Sequence, residues 1–246
     1  AGVAVEVGVL ERSAAALNPG YLSRMRRGRP LVRSKLAVSL DGRTALANGE
    51  SRWITAEAAR ADVHRWRARS SAIVTGAGTV LADDPSLNVR LTDPPPPFTS
   101  PARVVIDAGL RTPPSARLIA LPGEVIIFTT AAGARRARPL RERGVTVEET
   151  AGAERCDLQQ VMQRLGELEF NELWVEAGAT LNGALLEAGL IDELILYVAP
   201  HLLGAEARGM FRIEPLTSLK RRVQLEYQDV RRVGNDLRII ACLAAS

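Results

Sequence analysis

The chain has 246 residues, 46% of them hydrophobic and 24% charged, enough for one generous domain or two small ones with a core that needs no staple. Two cysteines without CxxC spacing and only two histidines exclude a disulfide framework and a Cys/His zinc site, so no metal is expected and a reducing, cytoplasmic setting is. The net charge of +4 is scattered in short arginine runs between acidic segments, which argues against a nucleic-acid surface, and no apolar run nears the roughly 20 residues of a membrane span.

Ala1 to Val9 alternate as a strand would, from the first residue onward. Glu11 to Leu17 read as a short helix, Asn18-Pro19-Gly20 as a break, and the basic stretch to Arg29 as a connector. A strand at residue 1 wants neighbours and none follows at once, so the natural polypeptide is expected to extend upstream. Leu31 to Leu40 read as a buried strand closed by the Asp41-Gly42 turn. Thr55 is placed to cap a helix carrying Ala59, Val63 and Trp66, and Ser71 to Thr75 form a second strand running into a Gly76-to-Thr79 turn. The Pro94-to-Pro97 run makes a stiff loop. Strands follow at Arg103 to Asp107, Val125 to Thr129 and Val145 to Glu148, then an amphipathic helix marked by Leu158, Val161, Met162 and Leu165. After the Leu173 strand come Glu193 to Ala199 and an antiparallel pair, Val223 to Val230 and Leu237 to Leu243, around Gly234-Asn235. This alternation predicts an α/β fold, its sheet mostly parallel with an antiparallel edge at the carboxyl terminus.

Chemistry concentrates in two stretches. In Leu173 to Leu186 an apolar strand ends on Glu176, and small residues open a helix. The N–H groups of that first turn lack intrahelical partners and carry the positive end of the dipole, which suits a phosphate or pyrophosphate. An ordinary strand–loop–helix junction has the same look. The other stretch carries Lys35, one of only two lysines in the chain, inside an apolar strand; it is either paired, lining a cleft, or on a sheet edge. Arg67 shares a helix face with Val63, and Arg90 follows the Asp83-Asp84-Pro85 loop, so both could meet a phosphate ester or simply be solvated. Trp53 could cover a planar ring or belong to the core.

The segments Lys35 to Ala45, Gly49 to Thr55, Thr79 to Pro85, Val175 to Thr180, Gly189 to Leu194 and Ala199 to Gly204 occur together in an order that resembles the reductase half of the bacterial riboflavin-biosynthesis bifunctional deaminase/reductase. The resemblance covers essentially everything from Asn18 onward. It implies residues 1–29 as the tail and connector of an upstream deaminase domain and residues 30–246 as the reductase, with a dihydrofolate-reductase-like fold. It implies NADPH-dependent reduction of 5-amino-6-(5-phosphoribosylamino)uracil to the ribitylamino product. The deaminase's zinc signature is absent, so this chain is not expected to deaminate. Carried over by motif, Ala37, Trp53, Thr79, Asp83 and the run Gly178, Ala179, Thr180, Leu181, Asn182, Gly183 and Ala184 fall on cofactor positions. Ser51, Arg67, Leu87, Arg90 and Glu176 fall on substrate positions; Lys35, with Asp41 and Glu176 beside it, is the catalytic candidate. Ala179 stands where the family often has proline, which loosens the turn without removing an N–H donor. Arg111 is the candidate for the cofactor's 2′-phosphate. The expected partners are a phosphorylated ribosylaminopyrimidine and a second copy of the chain, with no nucleic acid and no membrane. A silent cofactor-binding module and the related reductase acting before deamination are the alternatives.

Overall fold

The computed structural model describes residues 2–91 and 98–244, so the Pro94-to-Pro97 run lies outside the described residues. Two helices, α1 (Glu11–Leu17) and α2 (Pro19–Arg27), precede the central strand β1 (Leu31–Ser39) and the short β2 (Arg43–Ala45). Helix α3 (Glu57–Arg69) leads to β3 (Ala72–Gly76) and α4 (Ala77–Asp83). Then follow β4 (Ala102–Ile106), α5 (Arg117–Ala120), β5 (Val125–Thr130), α6 (Ala131–Ala134), α7 (Arg138–Arg141) and β6 (Thr146–Thr150). The chain continues through α8 (Leu158–Glu167), β7 (Glu172–Val175), α9 (Ala179–Glu187) and β8 (Glu193–Ala199). The short β9 (Arg208–Gly209) pairs with β2, and β10 (Leu225–Val233) with β11 (Asp236–Leu243) closes the fold.

The main sheet runs β10-β11-β8-β1-β7-β3-β4-β5-β6. From β8 to β6 every pairing is parallel, and the terminal β10–β11 hairpin adds an antiparallel edge to β8. The α/β expectation therefore holds, hairpin included. Alternate residues of each inner strand enter different cores: Val74, Val104 and Ile126 join one cluster, Ile73, Val105 and Ile127 the other, so both faces are covered. The strand order reverses where β7 returns between β1 and β3, and a crevice beyond the strands' carboxyl ends at such a point is where open α/β sheets bind ligands.

Local readings need several corrections. Residues 2–8 form no strand, and Val3, Val5, Val7 and Val9 are exposed, because alternation supplies no backbone partner and none of the described residues lies alongside to pair with them. The break falls on Asn18 alone, between α1 and α2; Pro19 and Gly20 already belong to α2, with Pro19 in its first turn, where its missing N–H costs nothing. The basic connector is that helix, tied down by Arg24 to Asn171 at 2.8 Å and Arg27 to Asp192 at 2.6 Å. Thr55 does not cap α3; the cap residue is Ala56, whose N–H donates to Asp236 Oδ2 of the distant hairpin at 2.8 Å. The Gly76-to-Thr79 turn is the start of α4. Among the described residues no helix is long and apolar enough to cross a membrane.

Candidate functional site

Strand β1 lies inside the sheet, yet it carries four polar side chains, Arg33, Ser34, Lys35 and Ser39. Burial demands partners for each. Arg33, 4% exposed, pairs with Glu172 and Glu193 and lies over the Trp66 ring. Ser34 donates to Asn182 Oδ1 at 2.9 Å, and Ser39 to Asp41 Oδ1 at 2.5 Å. Lys35 is the exception. Among the described residues its ammonium takes no hydrogen-bond or ion-pair partner, and burial lowers its pKa; Glu176 opposes that shift and Arg67 adds to it.

Register places the acid beside it. Ser34 pairs with Val175 and Val74 with the same residue, so Lys35 and Thr75 flank Glu176 at the carboxyl end of β7. The Glu176 N–H donates to Val74 O at 2.9 Å and its carbonyl accepts from Thr75 Oγ1 at 2.7 Å, which fixes the main chain. Arg67 of α3 grips the carboxylate with a two-pronged fork, Nε to Oε1 at 2.6 Å and Nη2 to Oε2 at 2.9 Å. Trp174 Nε1 donates to the same Oε1 at 2.8 Å, its indole stacked on Trp66 with centroids 5.5 Å apart. Burial pushes the Glu176 pKa upward, but Arg67, Lys35 and these hydrogen bonds overcome it and bring it to about 2. Glu176 is thus a fixed anion and a poor base at neutral pH.

The remaining expected residues divide by what they touch. Arg67 has no free fork: its Nη1 donates to the Asn88 carbonyl at 2.8 Å, and of the two arginines only Arg90 is exposed. The Leu87 side chain is 3% exposed in the core, its backbone turned to φ 45°, leaving only main chain for a ligand. Asp41 accepts from Leu203 and Gly204 N–H groups at 3.1 and 2.8 Å as well as from Ser39, which lowers its pKa to about 2; it pins the 201–204 loop and is no spare acid. Asn182 is wholly buried, its amide donating to Ala177 O at 2.8 Å. Gly183 is buried too, and a Cβ there would lie 2.0 Å from Arg212 O. These two residues fasten α9 to its surroundings, and the open part of the turn is Gly178 to Leu181. Gly178 and Thr180 are exposed; Ala179, Leu181 and Ala184 are half-buried. A Cβ on Gly76 would meet Leu181 at 3.3 Å, so the starts of α4 and α9 converge, bringing Thr79 toward the same crevice. Ala37 and Ser51 are half-buried, and Asp83 is half-buried with its carbonyl accepting from Arg52 at 2.8 Å. Trp53 is not core: it is 69% exposed, stacks under Arg60 at 4.7 Å, and lines a groove of about 290 Å³ with Thr55, Pro200 and His201. Arg111 lies in the loop after β4, five residues past Ile106, its side chain 61% exposed.

Residues 30–239 match the family described as the RibD C-terminal domain. The chain belongs to that family. It is 44% identical over 246 residues to the riboflavin biosynthesis protein RibD of Escherichia coli (strain K12), covering 96% of this chain and 66% of that protein. The chain thus spans about two thirds of the length of the curated relatives it first matches. The protein named 5-amino-6-(5-phosphoribosylamino)uracil reductase from Buchnera aphidicola subsp. Acyrthosiphon pisum is 34% identical over 205 residues, 79% of this chain and 97% of its own. Among solved structures, Acinetobacter baumannii RibD, form 1, superposes with a TM-score of 0.88 at 39% identity, over 99% of this chain and 66% of that one. The dihydrofolate-reductase-like architecture follows from this family.

Sequence reasoning missed three members of the site. Trp174 holds Glu176, Asn88 receives Arg67, and His64 contacts Arg90, its ring nitrogens 3.1 and 3.3 Å from the Arg90 N–H and Nε. His64 lies three residues before Arg67 on α3, a spacing that puts both on one helix face, and that signal was available.

Proposed function

We propose that this chain reduces the ribosyl side chain of 5-amino-6-(5-phosphoribosylamino)uracil to the ribitylamino product, with NADPH as reductant. The observation that carries the reading is Lys35, which takes no hydrogen-bond or ion-pair partner among the described residues, at the topological switch of the sheet next to a fixed carboxylate, in a chain of the RibD C-terminal domain family. The residues present fit a nicotinamide dinucleotide. A Cβ on Gly178 or Gly78 would meet nothing within 4 Å, so a pyrophosphate can approach the first-turn N–H groups of α9 beside the start of α4. Gly178 to Leu181, Thr79 and Asp83 would hold it there, with Ala37 and Trp53 nearer the ring and Arg111 meeting the 2′-phosphate. When bound, NADPH supplies the hydride.

The protein's own part is positioning and proton supply. Opening the ribose ring leaves C1′ electrophilic and the ring oxygen in need of a proton, and a lysine with a lowered pKa is suited to give it. Glu176 orients the substrate through whatever lone pairs Arg67 and Trp174 leave free, and it favours the protonated form of Lys35 against the effect of burial. Arg90 takes the 5′-phosphate, with Ser51 and the Leu87 main chain at the edge of the same site. We further propose a homodimer, since β10 leaves an outer strand with Tyr227 and Val230 exposed.

Turnover assays with NADPH and NADH, each against the uracil substrate and its diaminopyrimidinone counterpart, test the reading. Oxidation of NADPH with the uracil in preference to the other three pairs is expected; preference for the diaminopyrimidinone or equal use of NADH overturns the corresponding assignment.

A further inference from the structure

We propose that His64 is a positioning residue for substrate: its Nε2 accepts the Arg90 Nε–H so that the two terminal guanidinium nitrogens alone face the phosphate, a role that rests on the reductase reading above. Arg90 lies in the irregular arm after α4, and its residue is exposed. Among the described residues its polar contacts are to His64 alone, with its Nε 3.3 Å from Nε2 and its backbone nitrogen 3.1 Å from Nδ1. His64 itself is 8% exposed on the buried face of α3. An exposed arginine on a loop ordinarily samples many rotamers, and fixing it beforehand removes that ordering cost from ligand binding. With Nε directed at an imidazole, both Nη groups stay free for a two-pronged grip on an anion.

The clamp requires a neutral ring, because an imidazolium has no lone pair at Nε2 to accept the Arg90 Nε–H. The surroundings secure this. Burial, then Arg67 on the same helix and Arg90 on the arm, lower the His64 pKa to about 4, while Glu176 from the β7 end and the Asn88 carbonyl oppose them. A neutral imidazole accepts at one nitrogen only, so with Nε2 accepting from Arg90 the proton sits on Nδ1, and the Asn88 carbonyl is an acceptor for it. Asn88 also receives Arg67, so one carbonyl ties the arm to both the clamp and the Arg67–Glu176 pair. This explains how an arm without regular structure can hold a phosphate ligand in register with Lys35.

Steady-state kinetics of H64L and H64Q, with the phosphorylated substrate and its dephosphorylated counterpart, test the clamp. H64L should raise KM for the phosphorylated substrate about tenfold, leave kcat within about twofold, and leave KM for the dephosphorylated compound and the affinity for NADPH unchanged. H64Q, whose amide oxygen replaces the Nε2 acceptor, should restore KM. An unchanged KM in H64L overturns the proposal, as does an equal loss with both substrates that H64Q fails to rescue. Calorimetric binding of the phosphorylated compound to wild type and H64L reads the clamp without turnover. A wild type that binds it more tightly than H64L does but never reduces it overturns the reductase reading and leaves the clamp standing; a wild type that does not bind it overturns both.

Discussion

At the scale of single residues, the decisive contrast is between Arg67 and Arg90. Both are arginines beside a crevice, but one is consumed by Glu176 and Asn88 and the other is offered outward. Arg90→Ala should therefore raise KM by about one to two orders of magnitude, the loss of a charge-assisted contact worth roughly 1.5–3 kcal/mol, with NADPH affinity unchanged by fluorescence titration. Arg67 acts through Glu176 instead. The two side chains are 12% and 17% exposed, so Glu176→Ala leaves a buried guanidinium uncompensated and should cost roughly 3–5 kcal/mol in urea unfolding. The pair also makes stability depend on pH. The folded Glu176 pKa of about 2 lies below the ordinary 4.5, so the stabilisation is complete above pH 4.5 and lost as pH falls through 2. Comparing wild type with Glu176→Gln at about pH 6 and about pH 3 should show the gap between them shrinking at the lower pH.

At the scale of elements, α9 combines an open amino-terminal turn with an interior that is fastened down. Gly178 and Thr180 face outward, whereas Asn182 reaches Ser34 and Ala177, and Gly183 abuts the Arg212 main chain. Gly183→Ala should thus destabilise the fold by about 1–3 kcal/mol, visible as a lower melting temperature with and without NADPH. A charge placed there, as in Gly183→Asp, would act through the same clash and not through the cofactor alone. Helix α3 is secured from a distance: Asp236 of the terminal hairpin accepts the Ala56 N–H, and Asp236→Ala should cost about 1 kcal/mol. The motif segments were legible because each combined a strand end with chemistry-bearing residues. The Asp236 cap was not, because it joins positions 180 residues apart.

At the scale of the whole molecule, the parallel sheet collects Lys35, Glu176 and Thr75 from three strands that are distant in the chain but neighbours in the sheet. The hairpin beyond β8 leaves β10 at the edge, with Tyr227 74% and Val230 55% exposed. An uncovered edge strand with apolar side chains favours pairing with a like surface. Light scattering at micromolar concentration should report a dimer, and Val230→Lys should shift the mass toward the monomer.

The order and type of the main elements were determined locally, by apolar periodicity in β1, β5, α8 and β8 and by Gly234-Asn235 between the last two strands. The segments that form the crevice were likewise legible as motifs, since each lies in a short contiguous run, whereas Trp174, Asn88 and His64 carried no motif of their own. Which of them are free to act was decided only by tertiary structure. Lys35 was one polar residue among four on its strand until three of them were seen to be paired, and Leu87, Asp41 and Asn182 were candidates until their side chains proved to be spent on packing or hydrogen bonds. The alternating valines near the amino terminus show the same limit from the other side, because a strand exists only where a neighbour supplies its hydrogen bonds. A sequence states what each residue can donate, accept or bury; the fold decides which of those capacities are already used.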